Sequence, residues 1–424
     1  MSIYRLISLL AGVACCISSL RAQEQHPASC RTPEVMQEFY TLHPEEATKE
    51  MTARQSSIRE LKSRPTTITS EPDTYHIAVV FHVYGTTQGG KTVDDALIRG
   101  AIDKLNEDFQ GRNADFNTVH DQFKPLRATK NISFFLAKLD PEGRPTTGIN
   151  YYPEASGFAN GNGYDALVQA DAWDNYRYVN VYVQHDIFGD GTTFNSGVAY
   201  YPSSYMSDNK LARIVYNGAY LHTNTDPEFA SVLTHEFGHF FNLIHTFERG
   251  CTHPNDEVED TPPCTSAQGC HPSESANLPQ NCYGDLINAE NYMDYNSGCY
   301  KMFTRGQIKR VDTALYFPSR ITLWQDSTLA STGLSRPTSI AGSDDRIGNE
   351  FKIYPNPVAS HITIRRNSPT PYDIQVFNTL GQAIHRSRDN RSTTHIHMED
   401  VPPGLYYIHI SDDSGSTVQK ITRL

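Results

Sequence analysis

The 424-residue sequence predicts an α+β protein in two parts. A twisted mixed sheet with helices and a loop-rich lower half comes first, and a small immunoglobulin-like β-sandwich follows. Three observations predict this. Runs rich in β-branched and aromatic residues at 75–83, 132–138, 178–183 and 212–216 read as strands around one helix at 92–109. An apolar helix at 229–242 then carries His235 and His239 one turn apart. Finally, short alternating runs at 361–365, 372–377, 394–398, 405–410 and 417–421, divided by Gly381, Gly404 and Gly415, give a sandwich pattern.

Composition narrows the class of function without choosing one. A net charge of -12 argues against nucleic acid or an anionic membrane as the main partner. Hydrophobic content of 38 %, with 24 Tyr and 2 Trp, is ordinary for a water-soluble protein, and the length suffices for two or three domains.

Taken in order, residues 1–22 open with Arg5 and an apolar run too short to span a bilayer. That is the pattern of a removable secretion signal, and no other stretch is apolar enough to form a transmembrane segment. Residues 23–64 are polar, with helix formers at 35–40 and 57–62 but no sustained apolar pattern, and they carry Arg54, Arg59 and Arg64. Such a segment reads as a propeptide with basic processing points. Its one cysteine, Cys30, is either an unpaired thiol without a role or a ligand for a metal further on.

The first and larger domain is expected over 65–334. In its helix at 92–109, Leu97, Ile98, Ile102 and Leu105 fall three and four apart. The strand at 212–216 is expected at the sheet edge, where an extended chain could pair with it. The helix at 229–242 carries the sharpest signal. His235 and His239 present imidazoles on one face, and Asn242 tolerates the left-handed turn that brings His245 back as a third nitrogen. Three protein ligands with one open position describe a catalytic zinc site, whereas structural sites use four. Glu236 can act on a water there without being a ligand.

Five of the eight cysteines, Cys251, Cys264, Cys270, Cys282 and Cys299, lie in the lower half. Secretion permits disulfides there, with the connectivity open on sequence alone. A closed zinc site is rejected, because no C-x-x-C pair occurs. Between Cys251 and Cys264 lies an acidic loop, Asp256-Glu257-Val258-Glu259-Asp260-Thr261. Composition alone favours full solvation of it. Helices at 304–315 and 321–332 precede a Ser/Thr/Gly/Asp-rich linker at 335–349, and the sandwich occupies 350–424.

The pattern H-E-x-x-H-x-x-N-x-x-H over 235–245 resembles the long zinc motif of metzincin proteases. Met293 in Asn291-Tyr292-Met293-Asp294-Tyr295 supplies the turn expected beneath such a metal. With His245-Thr246-Phe247, the acidic loop, Met302-Phe303-Thr304-Arg305-Gly306-Gln307 and upstream motifs such as Leu105-Asn106-Glu107-Asp108-Phe109, the chain resembles the pappalysin family in its small bacterial type, over about 75–334. Phe351 to Val358, Gly404-Leu405-Tyr406-Tyr407-Ile408 and Lys420-Ile421 resemble the C-terminal sorting domain of type IX secretion in Bacteroidetes.

The resemblance implies a secreted zinc endopeptidase acting on protein or peptide substrates, exported or displayed at the surface of a Gram-negative bacterium through the type IX machinery. It implies His235, His239 and His245 as zinc ligands, Glu236 as general base, Tyr295 as donor to the oxyanion and Met293 as a structural platform. Cys30 would hold the zinc in a latent proenzyme. The implied disulfides are Cys251–Cys282 and Cys270–Cys299, with Cys264 left over. The implied calcium ligands are Asp256, Asp260 and Thr261, with a carbonyl from Val258. Family members prefer Arg after the scissile bond through an acidic residue before the last cysteine. Gly298 stands there, which argues for a weaker preference. The competing class is a secreted binding protein with a vestigial zinc site, and the retained Glu236 speaks against it.

Overall fold

A computed structural model describes residues 30–63, 74–161, 163–252, 255–267, 281–334, 351–366, 371–378, 383–412 and 415–424. The expected leader, the linker, Arg64, Cys270 and the turn at Gly381 lie outside the described residues. The chain divides into two compact units, Met1–Gly333 and Leu334–Leu424.

The first unit is built on a six-stranded sheet. Its order runs Ile132–Leu136, Tyr75–Tyr84, Val179–Val183, Ile214–Tyr216, Gly197–Ala199, with Ile149–Tyr152 pairing the far half of Tyr75–Tyr84. All pairings are parallel except the last, where Val198 faces Val215 antiparallel. Both faces of Tyr75–Tyr84 are covered, so it reads as a nearly continuous apolar run. The helix Asp95–Gln110 packs its apolar stripe, Leu97, Ile98, Ile102, Leu105 and Phe109, on the sheet. Its start is fixed by Asp94, whose carboxylate accepts the Leu97 amide at 2.9 Å, and its end by left-handed Gly111.

Three expectations need correction. The strand Ile214–Tyr216 is internal, and the edge is Gly197–Ala199. A three-residue strand opened by glycine has too little local pattern to read as one, and only its long-range partner makes it a strand. Residues 32–63 are polar apart from a short apolar face on their first part, 32–42. They form the helices Thr32–Leu42 and Pro44–Ser63, and Val35, Met36 and Phe39 bury into a cluster with Phe188, Val198 and Tyr200. The helix expected at 321–332 is broken into a 3-10 turn Ile321–Trp324 and a short helix Asp326–Ser331.

The second unit is a two-sheet sandwich. One sheet is Phe351–Tyr354, His361–Arg366 and Thr393–His397, and the other is Ala383–Asp389, Tyr372–Asn378, Gly404–Asp412 and Gly415–Arg423. Ile362, Ile364, Ile374, Val376, Ile396, Ile408 and Ile410 alternate into its core. Sequence reading missed Ala383–Asp389, whose His, Arg and Asp content hides the strand pattern.

Candidate active site

The zinc-motif helix spans Val232–Phe240, after a 3-10 turn at Phe229–Ser231, and every residue in it is buried. Phe237 and Phe240 face the apolar core, with the Phe237 and Phe134 rings 4.8 Å apart. His235 and His239 lie one turn apart on another face, with Glu236 beside them. The helix ends as expected, with Asn242 left-handed at φ 71°. The turn delivers His245 beside the other two rings.

The three Nε2 atoms converge, at 3.1 Å for His235–His239, 3.0 Å for His239–His245 and 3.3 Å for His235–His245. Nitrogens held at ~2.0–2.1 Å by one tetrahedral ion stand about 3.3 Å apart, so this donor set fits a zinc-sized cation. The tautomers agree. His235 Nδ1 donates to the Tyr292 carbonyl at 2.6 Å and His239 Nδ1 to the Leu243 carbonyl at 2.8 Å, freeing each Nε2. His245 Nδ1 lies 3.7 Å from the Glu248 carboxylate, and its ring stacks on Phe247. Burial holds His235 down to about 4 and His239 and His245 well below the usual imidazole range, so all three are neutral and able to coordinate.

Cys30 completes the cluster. Its sulfur and the three histidine nitrogens all lie within 4.8 Å of one another, the one such group of three or more ligands among the described residues. Burial and the nearby Glu236 push the thiol well up, so a thiolate there requires a cation beside it. The sulfur also lies 3.5 Å from Glu236 Oε2, and Glu236 is itself pushed up to about 8 by burial. The Cys30 carbonyl accepts a hydrogen bond from the Tyr295 hydroxyl. The Tyr295 ring stands 4.6 Å from that of His245. Thr32 grips the edge strand, and the Arg31 guanidinium lies 4.3 Å over the Phe188 ring.

Met293 lies under the site, fully buried. Its amide donates to Asn291 Oδ1, and Asn291 exchanges two side-chain hydrogen bonds with Gln307. Asp294 accepts from the Ala267 and Tyr295 amides, which ties its carboxylate to the turn.

Four residues that the sequence did not mark as functional support these groups. A Cβ at Gly238 would stand 2.5 Å from Met293 Sδ, and one at Gly197 would stand 2.8 Å from Glu236 Oε1. A glycine inside a helix motif was the available signal at 238. Asp108, buried on the helix Asp95–Gln110, accepts from Thr234 Oγ1 at 2.7 Å and from Lys104 Nζ at 2.9 Å, pinning the start of the zinc helix. Thr32 is the fourth.

The acidic loop is partly brought together. Thr261 Oγ1 donates to Asp256 Oδ2 at 2.6 Å and lies 3.1 Å from the Val258 carbonyl oxygen. Asp256 is fully buried, and that burial pushes its carboxyl up to about 7. Asp260 turns elsewhere. It accepts from Thr304 Oγ1 and the Gly306 amide at the start of the helix Arg305–Ala314. Cys251 and Cys282 are joined, Cys299 is disulfide-bonded, and Cys264 is a buried free thiol.

A buried cluster of three histidines beside a glutamate, two of them on a helix under a mixed sheet and the third from the turn after it, with a methionine turn below, defines a metalloprotease. Comparison with known proteins makes this specific. Residues 162–316 match the peptidase family described as pregnancy-associated plasma protein-A, and 352–422 match the secretion system C-terminal sorting domain. An extracellular metalloprotease of Podospora anserina is 26 % identical over 292 residues, covering 67 % of this chain and 87 % of its own. One from Sordaria macrospora is 36 % identical over 154 residues, 34 % of this chain and 51 % of its own. Among solved structures, a promirolysin mutant of Tannerella forsythia shares the fold, with TM-score 0.57, 24 % identity and coverage of 73 % of this chain and 99 % of its own. Mature mirolysin in complex with a cleaved peptide matches with TM-score 0.52, 26 % identity and coverage of 63 % and 100 %. The chain thus carries a pappalysin-type peptidase domain and a C-terminal sorting domain that marks it for secretion. Among the described residues no helix is long and apolar enough to cross a membrane.

Proposed function

We propose that this chain is made as a latent precursor and, once freed, cuts internal peptide bonds with His235, His239 and His245 holding a zinc ion. The carrying observation is the convergence of three Nε2 atoms within 3.0–3.3 Å beside Glu236. Zinc bound there would acidify a coordinated water and polarise the scissile carbonyl. Glu236 takes the proton of the attacking water and passes it to the leaving amine. Its buried carboxyl, held against Gly197, suits that exchange near neutral pH. Tyr295 donates to the carbonyl oxygen as it gains charge, and the hydrogen bond its hydroxyl gives to the Cys30 carbonyl beside the histidine cluster supports this role.

In the precursor, residues 23–64 form the prosegment behind a leader at 1–22, and Cys30 takes the place of the water. The catalytic domain spans 65–334, the linker 335–349 and the sorting sandwich 350–424. Asp256, the Val258 carbonyl and Thr261 take calcium, with Asp260 nearby. An extended substrate can add as a further strand along the sheet edge Gly197–Ala199, and mature mirolysin was solved with a cleaved peptide. The test is casein hydrolysis after prosegment removal, abolished by a zinc chelator and restored by zinc. Activity unaffected by complete zinc removal would defeat the reading.

A further inference from the structure

We propose that His361, His395 and His397 form a second metal site, on the outer face of the C-terminal sandwich, for a borderline-soft divalent ion of the Zn²⁺, Ni²⁺ and Cu²⁺ group. Register places the three together. The strands His361–Arg366 and Thr393–His397 run antiparallel, with His361 opposite His397 and Thr363 opposite His395. Alternate side chains share a face, so His395 and His397 project from the same side as His361, while Ile362, Ile364 and Ile396 fill the core. All three histidines are exposed.

A residue pair directly opposite across an antiparallel ladder has Cβ atoms about 4.5–5.5 Å apart, within the reach of two imidazoles on one ion. On the diagonal, the His361 and His395 rings stand 5.6 Å apart at 73°. The backbone thus offers a tridentate set, two ligands from one strand and one from its neighbour.

Two rings are already oriented from behind. His395 Nδ1 is 3.1 Å from Thr363 Oγ1, and His361 Nδ1 is 3.0 Å from Ser360 Oγ. Both contacts occupy Nδ1, which leaves Nε2 as the ring nitrogen open to a metal. Imidazole donors without carboxylates select zinc, nickel or copper over calcium or magnesium. The cations of the same face, Lys352 and Arg365, pair at the other end of the sheet, away from His361. In the rotamers seen, the three rings are spread wider than the zinc cluster. Exposed rings turn about χ1 and χ2 with little packing to lose.

The test uses the full-length chain with its active-site zinc in place, titrated with Ni²⁺ in a calorimeter. The site needs no proteolysis, so the Glu236→Gln chain serves equally well, and the outcome is independent of the protease reading. One further equivalent should bind. It should weaken at least tenfold in His397→Ala and in His361→Ala, and vanish when all three histidines are alanine. The three side chains are exposed, and melting curves of the variants, with His→Gln replacements as a second set, check that the sandwich is intact. No further equivalent in wild type, or binding undiminished in the triple variant, would overturn the proposal.

Discussion

Thr32 Oγ1 donates to the Ala199 carbonyl at 2.9 Å and accepts from the Ala199 amide at 3.1 Å. The Thr32 side chain thus satisfies both backbone groups of Ala199 on the sheet's edge strand, which a substrate strand would otherwise pair. Thr32→Val keeps the shape and removes both bonds, leaving two buried groups unpaired at roughly 1–3 kcal/mol. Latency should therefore leak about ten- to hundredfold. Cys30→Ala should leak as well, by freeing the fourth position at the metal. The measurement is hydrolysis of a quenched peptide by uncleaved precursor, and variants as silent as wild type would show that other contacts hold the latch.

Glu236→Gln should keep the fold and the zinc while losing the proton acceptor. The side chain is nearly isosteric, and its neighbours Gly197 and Cys30 need not move. Activity should fall by ~10²–10⁴-fold. Zinc content by atomic absorption alongside casein turnover checks this, and near-normal turnover at full zinc occupancy would remove Glu236 from the mechanism.

Gly238→Ala sets two effects against each other. Alanine in a helix interior gains up to ~1 kcal/mol over glycine. Its Cβ would meet Met293 Sδ at 2.5 Å, deep in a fully buried site, and overpacking costs typically ~1–3 kcal/mol. The second effect should win, lowering both melting temperature and zinc affinity. Combining it with Met293→Ala, which opens the space, should cost less than the sum of the two single changes. A neutral or stabilised Gly238→Ala would show that the methionine sulfur moves aside freely.

The zinc site was legible in the sequence because its determinants are local. His235 and His239 are set by helical periodicity, and Asn242 permits the turn that returns His245. What the sequence concealed depends on distant partners. Gly197–Ala199 is a strand only because Ile214–Tyr216 lies beside it, and its place at the edge follows from sheet order. Thr32 meets Ala199 across 167 positions and Thr234 meets Asp108 across 126, and a short window contains neither. The apolar face of Val35, Met36 and Phe39 spans barely one turn, too short for a periodic signal.

Calcium chelation at constant zinc should lower the melting temperature, since a ion bound only by the folded chain stabilises it by mass action. Asp256→Ala should abolish that response, because Asp256 is the buried carboxylate of the loop. Asp260→Ala should destabilise with or without calcium, as its carboxylate caps the helix Arg305–Ala314 through Thr304 and Gly306. Thermal melts with a calcium-selective chelator separate the two. A chelator response surviving in Asp256→Ala would place the cation elsewhere.

The residue accepted after the scissile bond is set by what can meet its charge. A guanidinium buried beside the zinc needs a carboxylate, because an unpaired buried charge costs several kcal/mol. The sequence offers Gly298 where the family pattern has an acid. Asp294 is taken up by the Ala267 and Tyr295 amides and by Thr246. Asp285 is exposed and tied to Asn281. None of these is placed to meet an arginine without giving up existing bonds, so the preference for Arg should be weak, with small polar or medium apolar residues cut at comparable rates. Profiling on a peptide library decides it, and Gly298→Asp should raise the Arg preference by at least tenfold. An enzyme that already cuts almost only before Arg would mean that a carboxylate from another part of the cleft reaches the pocket.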